Sequence, residues 1–344
     1  MPAEASPLLL AARRRPAPYT PVWLMRQAGR YLPEYRAMRA RFGFLELCRN
    51  PEAAAEVTLQ PVDRLGVDAA ILFADILLIV EPLGVGLEFV KGEGPVIHRP
   101  VRTAADVARL DPIDVESAVP FVFETVRTVA RALAGRVPLI GFAGAPFTVA
   151  SYVVEGGPSR DYLAVKRLMY ATPDAWHRLM ALLSDATVRY LNGQIAAGAE
   201  VVQLFDSWVG ALSPADYRAF VLPHVRTLIQ ALSPGVPVIH FGTGTGALLP
   251  LMRAAGGDVI GLDWRVDLDA GWAAVGPDVA VQGNLDPAVL LAPRPVIRDR
   301  VKDILARAGG RPGHVFNLGH GVHQRTPVEN VKALVDMVHE LSVT

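Results

Sequence analysis

The residues best suited to chemistry stand at the ends of short apolar runs. Arg26 and Arg30, with Gln27 between them, follow "PVWLM" in the stretch "PVWLMRQAGRYLPEYR", residues 21 to 36. Guanidinium forks match carboxylates in bidentate geometry, and two of them on a loop or opening helical turn can converge on one polyanion. At an effective dielectric near 20, a charge pair about 4 Å apart is worth about 4 kcal/mol before desolvation, so two or three pairs hold a multiply charged acid. The plainer reading pairs these arginines with Glu34 or with Asp75. Asp75 lies in "ILFADILLIV", where it is the one residue that is not apolar. A lone carboxylate in such company must be paired, hydrogen-bonded or protonated. It could cap the following turn, or it could accept hydrogen bonds from N–H groups and face a developing positive charge. His320, in "FNLGHGVHQ", has glycine on both sides, which suits a tight loop and a hydrogen-bonding, proton-handling or structural histidine. A metal site pairing it with His323 has no evident third ligand.

Such residues need a scaffold that gathers them. Short β-type apolar runs alternate with longer helical patterns along most of the chain, at residues 21–25, 69–75, 137–143, 200–207, 237–242, 259–264, 279–284 and 314–318. Helix starts are marked by a polar residue followed by proline at Asn50-Pro51, Thr172-Pro173, Ser213-Pro214, Asp286-Pro287 and Thr326-Pro327. Thr326 has Glu329 three residues on, the pattern of a capping box. Glycines 198, 235 and 309 fall where helices should stop. Eight strands with intervening helices predict an α/β fold, a single (β/α)8 TIM-type barrel over residues 1–344, with an N-terminal extension. Residues 1–19 are expected to be a flexible tail. The stretch "LEFVKGEGPVIHRPV", residues 87–101, reads as a hairpin inserted after the second strand, with "KGEG" as its turn. A doubly wound open sheet is the competing architecture.

In such a barrel the site lies at the C-terminal ends of the strands. The residues expected there are Arg26, Gln27, Arg30, Asp75, Tyr152 (in the loop after the third strand), Ser207, His240, Asp263, Asn284 and His320. A rival signal is "FGTGTGA", residues 241–247, which matches G-x-G-x-x-A with Asp263 about 20 residues on, as in a dinucleotide site.

Bulk composition narrows the function classes. Thirty-four basic residues balance 34 acidic ones, so no broad cationic field points to nucleic acid or an anionic membrane surface, and an anionic ligand must be held by local charge. No apolar run is long enough to span a bilayer. Glu4 and several prolines disturb any transit-peptide pattern in the arginine-rich start. With Cys48 as the sole cysteine there is no internal disulfide and no site with two cysteine ligands, which fits a reducing cytoplasm.

The segment 21–36 together with "GFAGAPFTVASYVVEGG", residues 141–157, resembles the paired signatures of the uroporphyrinogen decarboxylase family, and the likeness continues through "FADIL", "FDSWVG", "GLDW", "QGNLDP" and "NLGHG". The resemblance implies a distorted (β/α)8 barrel, a homodimer with facing clefts, and cofactor-free removal of CO2 from the four acetates of uroporphyrinogen III to give coproporphyrinogen III. It further implies that Asp75 accepts hydrogen bonds from the pyrrole N–H groups and that Arg26 and Arg30 engage substrate carboxylates. Tyr152, Ser207 and His320 would be further polar contacts, with Gln27 beside the arginines. Either Arg26 or His320 would supply the proton. Related barrel methyltransferases that use zinc held by His and Cys are one alternative, and a non-catalytic tetrapyrrole carrier is another.

Overall fold

The computed structural model describes residues 6–90 and 94–343. Seven parallel strands form one sheet, in the order β1 (Ala70–Ile71), β4 (Leu139–Gly144), β5 (Val201–Asp206), β6 (Val238–Gly242), β7 (Val259–Gly261), β8 (Ala280–Gln282) and β9 (His314–Val315). The segment 21–25 supplies the missing stave. Val22 pairs in parallel with Phe316, and its carbonyl accepts the Asp68 N–H at 2.8 Å. The cylinder therefore closes between β9 and β1 and is a TIM-type barrel. Its strands are near-continuous apolar runs because one side faces the interior and the other the helices.

Trp23 Nε1 donates to Gln282 Oε1 at 2.9 Å, and Gln282 Nε2 donates to Gln203 Oε1 at 3.1 Å. These three residues come from staves that are not neighbours, so the chain they form crosses the interior. All three are buried, and they make a polar layer within the apolar filling.

The N-terminal segment departs from the expected flexible tail. Helix α1 (Pro7–Ala12) is capped by Ser6 Oγ, which accepts the Leu9 N–H at 3.2 Å, and Leu8 and Leu9 are buried. The helix packs against β8 and β9. Proline at its first position and the apolar triplet behind it provide both the start and the buried face.

The expected hairpin is present: β2 (Leu87–Val90) and β3 (Gly94–Ile97) pair antiparallel. Most of its "KGEG" turn, at 91–93, lies outside the described residues. The Ile97 N–H bonds to the Gly156 carbonyl at 2.8 Å, which ties the hairpin to the end of the helix Pro146–Glu155. Asn50, Ser213 and Asp286 cap as expected. The capping box at Thr326 does not form: the last helix, Val328–Ser342, begins after Pro327, and the Thr326 N–H is drawn to the His323 carbonyl instead.

Candidate active site

Arg26 is placed by a tight turn. The Gln27 N–H bonds to the Leu24 carbonyl at 2.9 Å, and Arg26, third of the four residues, has φ of 60°. Glycine or asparagine ordinarily fills such a position, since a Cβ there is strained. The turn projects an exposed guanidinium that makes no hydrogen bond or ion pair among the described residues. Its aliphatic stem lies on Gly321, where any added Cβ would collide with it. Arg30 is also exposed and bonds through Nη1 to Gln324 Oε1 at 3.2 Å. Neither arginine is paired with Glu34 or Asp75, so the plainer reading of both fails.

Gln27 has a different job from the one expected. It is fully buried; Oε1 accepts the Leu24 N–H at 3.0 Å and Nε2 donates to the Ala69 carbonyl at 2.9 Å. Its amide is spent on holding the arginine turn against β1, and none of it faces the mouth.

Asp75 lies just beyond β1. Its Oδ1 accepts the Leu77 N–H at 2.9 Å, so the turn-cap reading is correct for one oxygen. The other oxygen has no hydrogen-bond partner among the described residues. Burial lifts the carboxyl to about 6, partly offset by the Leu77 hydrogen bond and the Arg26 charge. One half of the group is thus fixed and the other half is free to accept.

Tyr152 stands on the helix Pro146–Glu155 and not in a loop. Its ring lies 3.9 Å from that of Trp208, centroid to centroid. Burial, and then the charge of Asp75, raise its hydroxyl. His320 is pushed down to about 4 by burial first and then by Arg26 and Arg265, so it is a neutral imidazole near pH 7. Ser207 is half-buried directly after β5.

Three other expected mouth residues are structural. His240 is fully buried in the helix layer, neither ring nitrogen has a hydrogen-bond partner among the described residues, and burial pushes the ring down to about 4. Asp263 accepts from Arg265 Nη1 at 2.8 Å and from the Gly244 N–H. Asn284 Nδ2 donates to the carbonyls of Asp263 at 2.8 Å and Val266 at 2.6 Å. With Asp263 tying the glycine loop of "FGTGTGA" to β7, no free acid remains there for a ribose, and the dinucleotide reading fails.

Sequence reasoning missed Asp206, the last residue of β5. It is fully buried, accepts from Thr148 Oγ1 at 2.8 Å, and is raised to about 7 by its burial. Thr148 Oγ1 in turn accepts the Trp208 N–H at 3.2 Å. Thr148 is one helical turn before Tyr152, so this contact fastens the helix of Tyr152 to the loop of Ser207 and Trp208. The signal available was an acid closing an apolar strand beside a candidate serine.

Among the described residues no three His, Cys, Asp or Glu side chains are grouped to hold a metal ion, and no helix is long and apolar enough to cross a membrane. Cys48 is buried in the helix Phe44–Cys48 and belongs to no such group among the described residues.

A closed parallel barrel with exposed guanidiniums and one half-engaged carboxylate at the C-terminal ends of its staves is a (β/α)8-barrel protein whose polar groups gather at the end where such barrels carry their sites. The family model for uroporphyrinogen decarboxylase matches residues 3–341. The chain is 60% identical over 335 residues to the uroporphyrinogen decarboxylase of Carboxydothermus hydrogenoformans, covering 97% of this chain and 96% of that protein. It is 58% identical over 334 residues to the enzyme of that name from Sorangium cellulosum, covering 97% and 95%. The chain belongs to the uroporphyrinogen decarboxylase family. In fold it also resembles a methyltransferase from Methanosarcina mazei, with a TM-score of 0.81 at 23% identity over 98% of this chain and 99% of that one.

Proposed function

We propose that this protein is a uroporphyrinogen decarboxylase, a carboxy-lyase of tetrapyrrole biosynthesis that removes CO2 from the four acetates of uroporphyrinogen III. The observation that carries the reading is Asp75, with one oxygen locked by the Leu77 N–H and the other unengaged. An acetate on a pyrrole loses CO2 readily once the ring is protonated, because the ring then accepts the electron pair of the breaking C–C bond. Protonation makes the ring a cation. A carboxylate already fixed beneath it stabilises that charge without reorganising. Asp75 accepts the pyrrole N–H groups in the ground state and faces the cation as it forms, which is differential stabilisation of the reacting state.

Arg26 and Arg30, both exposed at the mouth, grip peripheral carboxylates. Tyr152, Ser207 and His320 complete the polar contacts, and Gln27 acts through the turn that presents Arg26. Each turnover consumes one proton as the methylene left by CO2 becomes a methyl group. His320 is neutral near pH 7 and has no spare proton to give, so Arg26, directly or through a relayed proton, is the favoured donor. The reaction needs no cofactor in this reading, the enzyme is a homodimer, as its family resemblance implies, and a cytoplasmic location fits its single cysteine.

The test is anaerobic incubation with uroporphyrinogen, following carboxylate number by mass. With wild-type protein the substrate should lose four carboxyl groups in succession. Asp75→Asn should fold and lose about 100-fold or more in turnover, the size typical of removing one preorganised electrostatic group. Near-normal turnover in that variant would end the assignment of Asp75.

A further inference from the structure

The loop after β7 carries a guanidinium that none of the roles above uses. Arg265 is held on two sides. Asp263, itself 2% exposed, accepts from the Arg265 backbone N–H at 2.9 Å and from Nη1 at 2.8 Å. The Arg265 Cζ sits 3.9 Å from the centroid of the Trp264 ring. Asn284 fixes the same loop through the Asp263 and Val266 carbonyls. The side chain is nonetheless 52% exposed, and Nε and Nη2 have no partner among the described residues. A guanidinium so restrained has already given up much of its rotamer freedom, so capturing a carboxylate costs it little more.

Its position joins it to the mouth. The Trp264 ring stands edge-on to His320, with centroids 6.2 Å apart at 90°. A Cβ on Gly319 would strike the Trp264 backbone, and one on Gly321 would strike the Arg26 stem, so the loop bearing His320 is clasped between Arg26 and Trp264. His320 feels the charge of both arginines. Arg26, His320, Trp264 and Arg265 therefore make one continuous arc of the rim.

We propose that Arg265 is a further carboxylate-binding residue of this mouth, specific for a propionate of the macrocycle. The inference rests on the decarboxylase reading. A guanidinium pinned in place and bonded to the reacting acetate would stabilise the very charge that must leave as CO2, and would slow the step. Propionates persist through all four decarboxylations, so a fixed cation that binds one supplies equal affinity at every stage. Such an interaction lowers KM without altering kcat.

The experiment uses Arg265→Gln and Arg265→Lys in the full chain, with fluorescence titration of two oxidised probes. Uroporphyrin bears acetates and propionates, and coproporphyrin bears propionates only. Arg265→Gln should weaken both probes by the same factor, roughly tenfold or more for a charge-assisted pair. KM for uroporphyrinogen should rise alongside, with kcat within about twofold of wild type. Lysine should restore part of the affinity, and added NaCl should shrink the difference. Unchanged affinity overturns the proposal, as does weakening confined to uroporphyrin, which would assign Arg265 to an acetate. A fall in kcat or thermal stability with KM unchanged would make Arg265 merely the shield of Asp263. If wild-type protein released no CO2, the decarboxylase reading would fall, while the porphyrin titration would still judge Arg265 by itself.

Discussion

Arg26 holds a left-handed backbone at a turn where glycine would rest without strain. Such strain is tolerated when the side chain is worth more than the stability lost. Arg26→Gly should therefore be more stable than wild type, by up to about 1 kcal/mol in urea unfolding, while losing most decarboxylase activity. A variant both less stable and active would show that the turn needs the arginine stem on Gly321 and the reaction does not need its charge. In the proposed mechanism Asp75 sets the pH dependence. Its carboxyl is raised to about 6 by burial, and the charged form is the one proposed to act. Activity measured as kcat/KM should thus rise with pH through about 6 and level off above it. His320, held down near about 4, is neutral across that range, so His320→Asn should keep the same acidic limb. Disappearance of the limb in that variant would assign it to a neutral His320 and not to the Asp75 carboxylate.

At the level of elements, the barrel opens where β1 and β4 part. Their ladder ends with the Leu72 N–H on the Ile140 carbonyl at 3.0 Å. Beyond it, side chains replace the missing strand partner. Thr58 Oγ1 accepts the Phe73 N–H at 2.9 Å, and Gln194 accepts the Phe142 N–H at 2.9 Å while donating to its carbonyl at 3.0 Å. The parting leaves room for Asp75 at the rim without orphaning backbone groups, whose burial unpaired is costly. Gly141 matters here because a Cβ would sit 2.5 Å from Gln194 Oε1. Gln194→Ala should cost about 3 kcal/mol in urea unfolding, since two buried backbone groups lose their partner and a cavity opens. A loss below about 1 kcal/mol would mean that β1 and β4 can re-pair on their own. The strands themselves were legible as apolar runs bounded by turn residues. This parting was not, because it depends on a glutamine from the distant helix Pro173–Ala197.

The whole molecule carries no net formal charge, yet at one end of the barrel Arg26 and Arg30 are exposed and have no ion-pair partner among the described residues. The attraction proposed for a polyanion is therefore local and short-ranged. Helix α1 packs on β8 and β9, and its buried Leu8 and Leu9 join the core while Arg13, Arg14 and Arg15 behind them stay exposed. The proposed homodimer belongs to this scale too. Sedimentation equilibrium at micromolar concentration should give twice the chain mass of 37.0 kDa. A monomer retaining full activity would remove the paired clefts from the account.

Local chemistry written into the sequence settled the order of staves and helices, the hairpin, and the residue types at the strand ends, because apolar period, prolines and glycines act within a few residues of themselves. The resemblance carried in residues 21–36 and 141–157 added the family. What each polar side chain at those ends does was decided only by folding. Arg26 stays free while Gln27, one residue on, is consumed by the backbone of residues 24 and 69. Asp75 keeps one oxygen open, whereas Asp263 spends itself on Arg265 and Gly244. Residues alike in sequence context part company because burial and hydrogen-bond partners come from elements far away along the chain, and those partners exist only once the cylinder has closed.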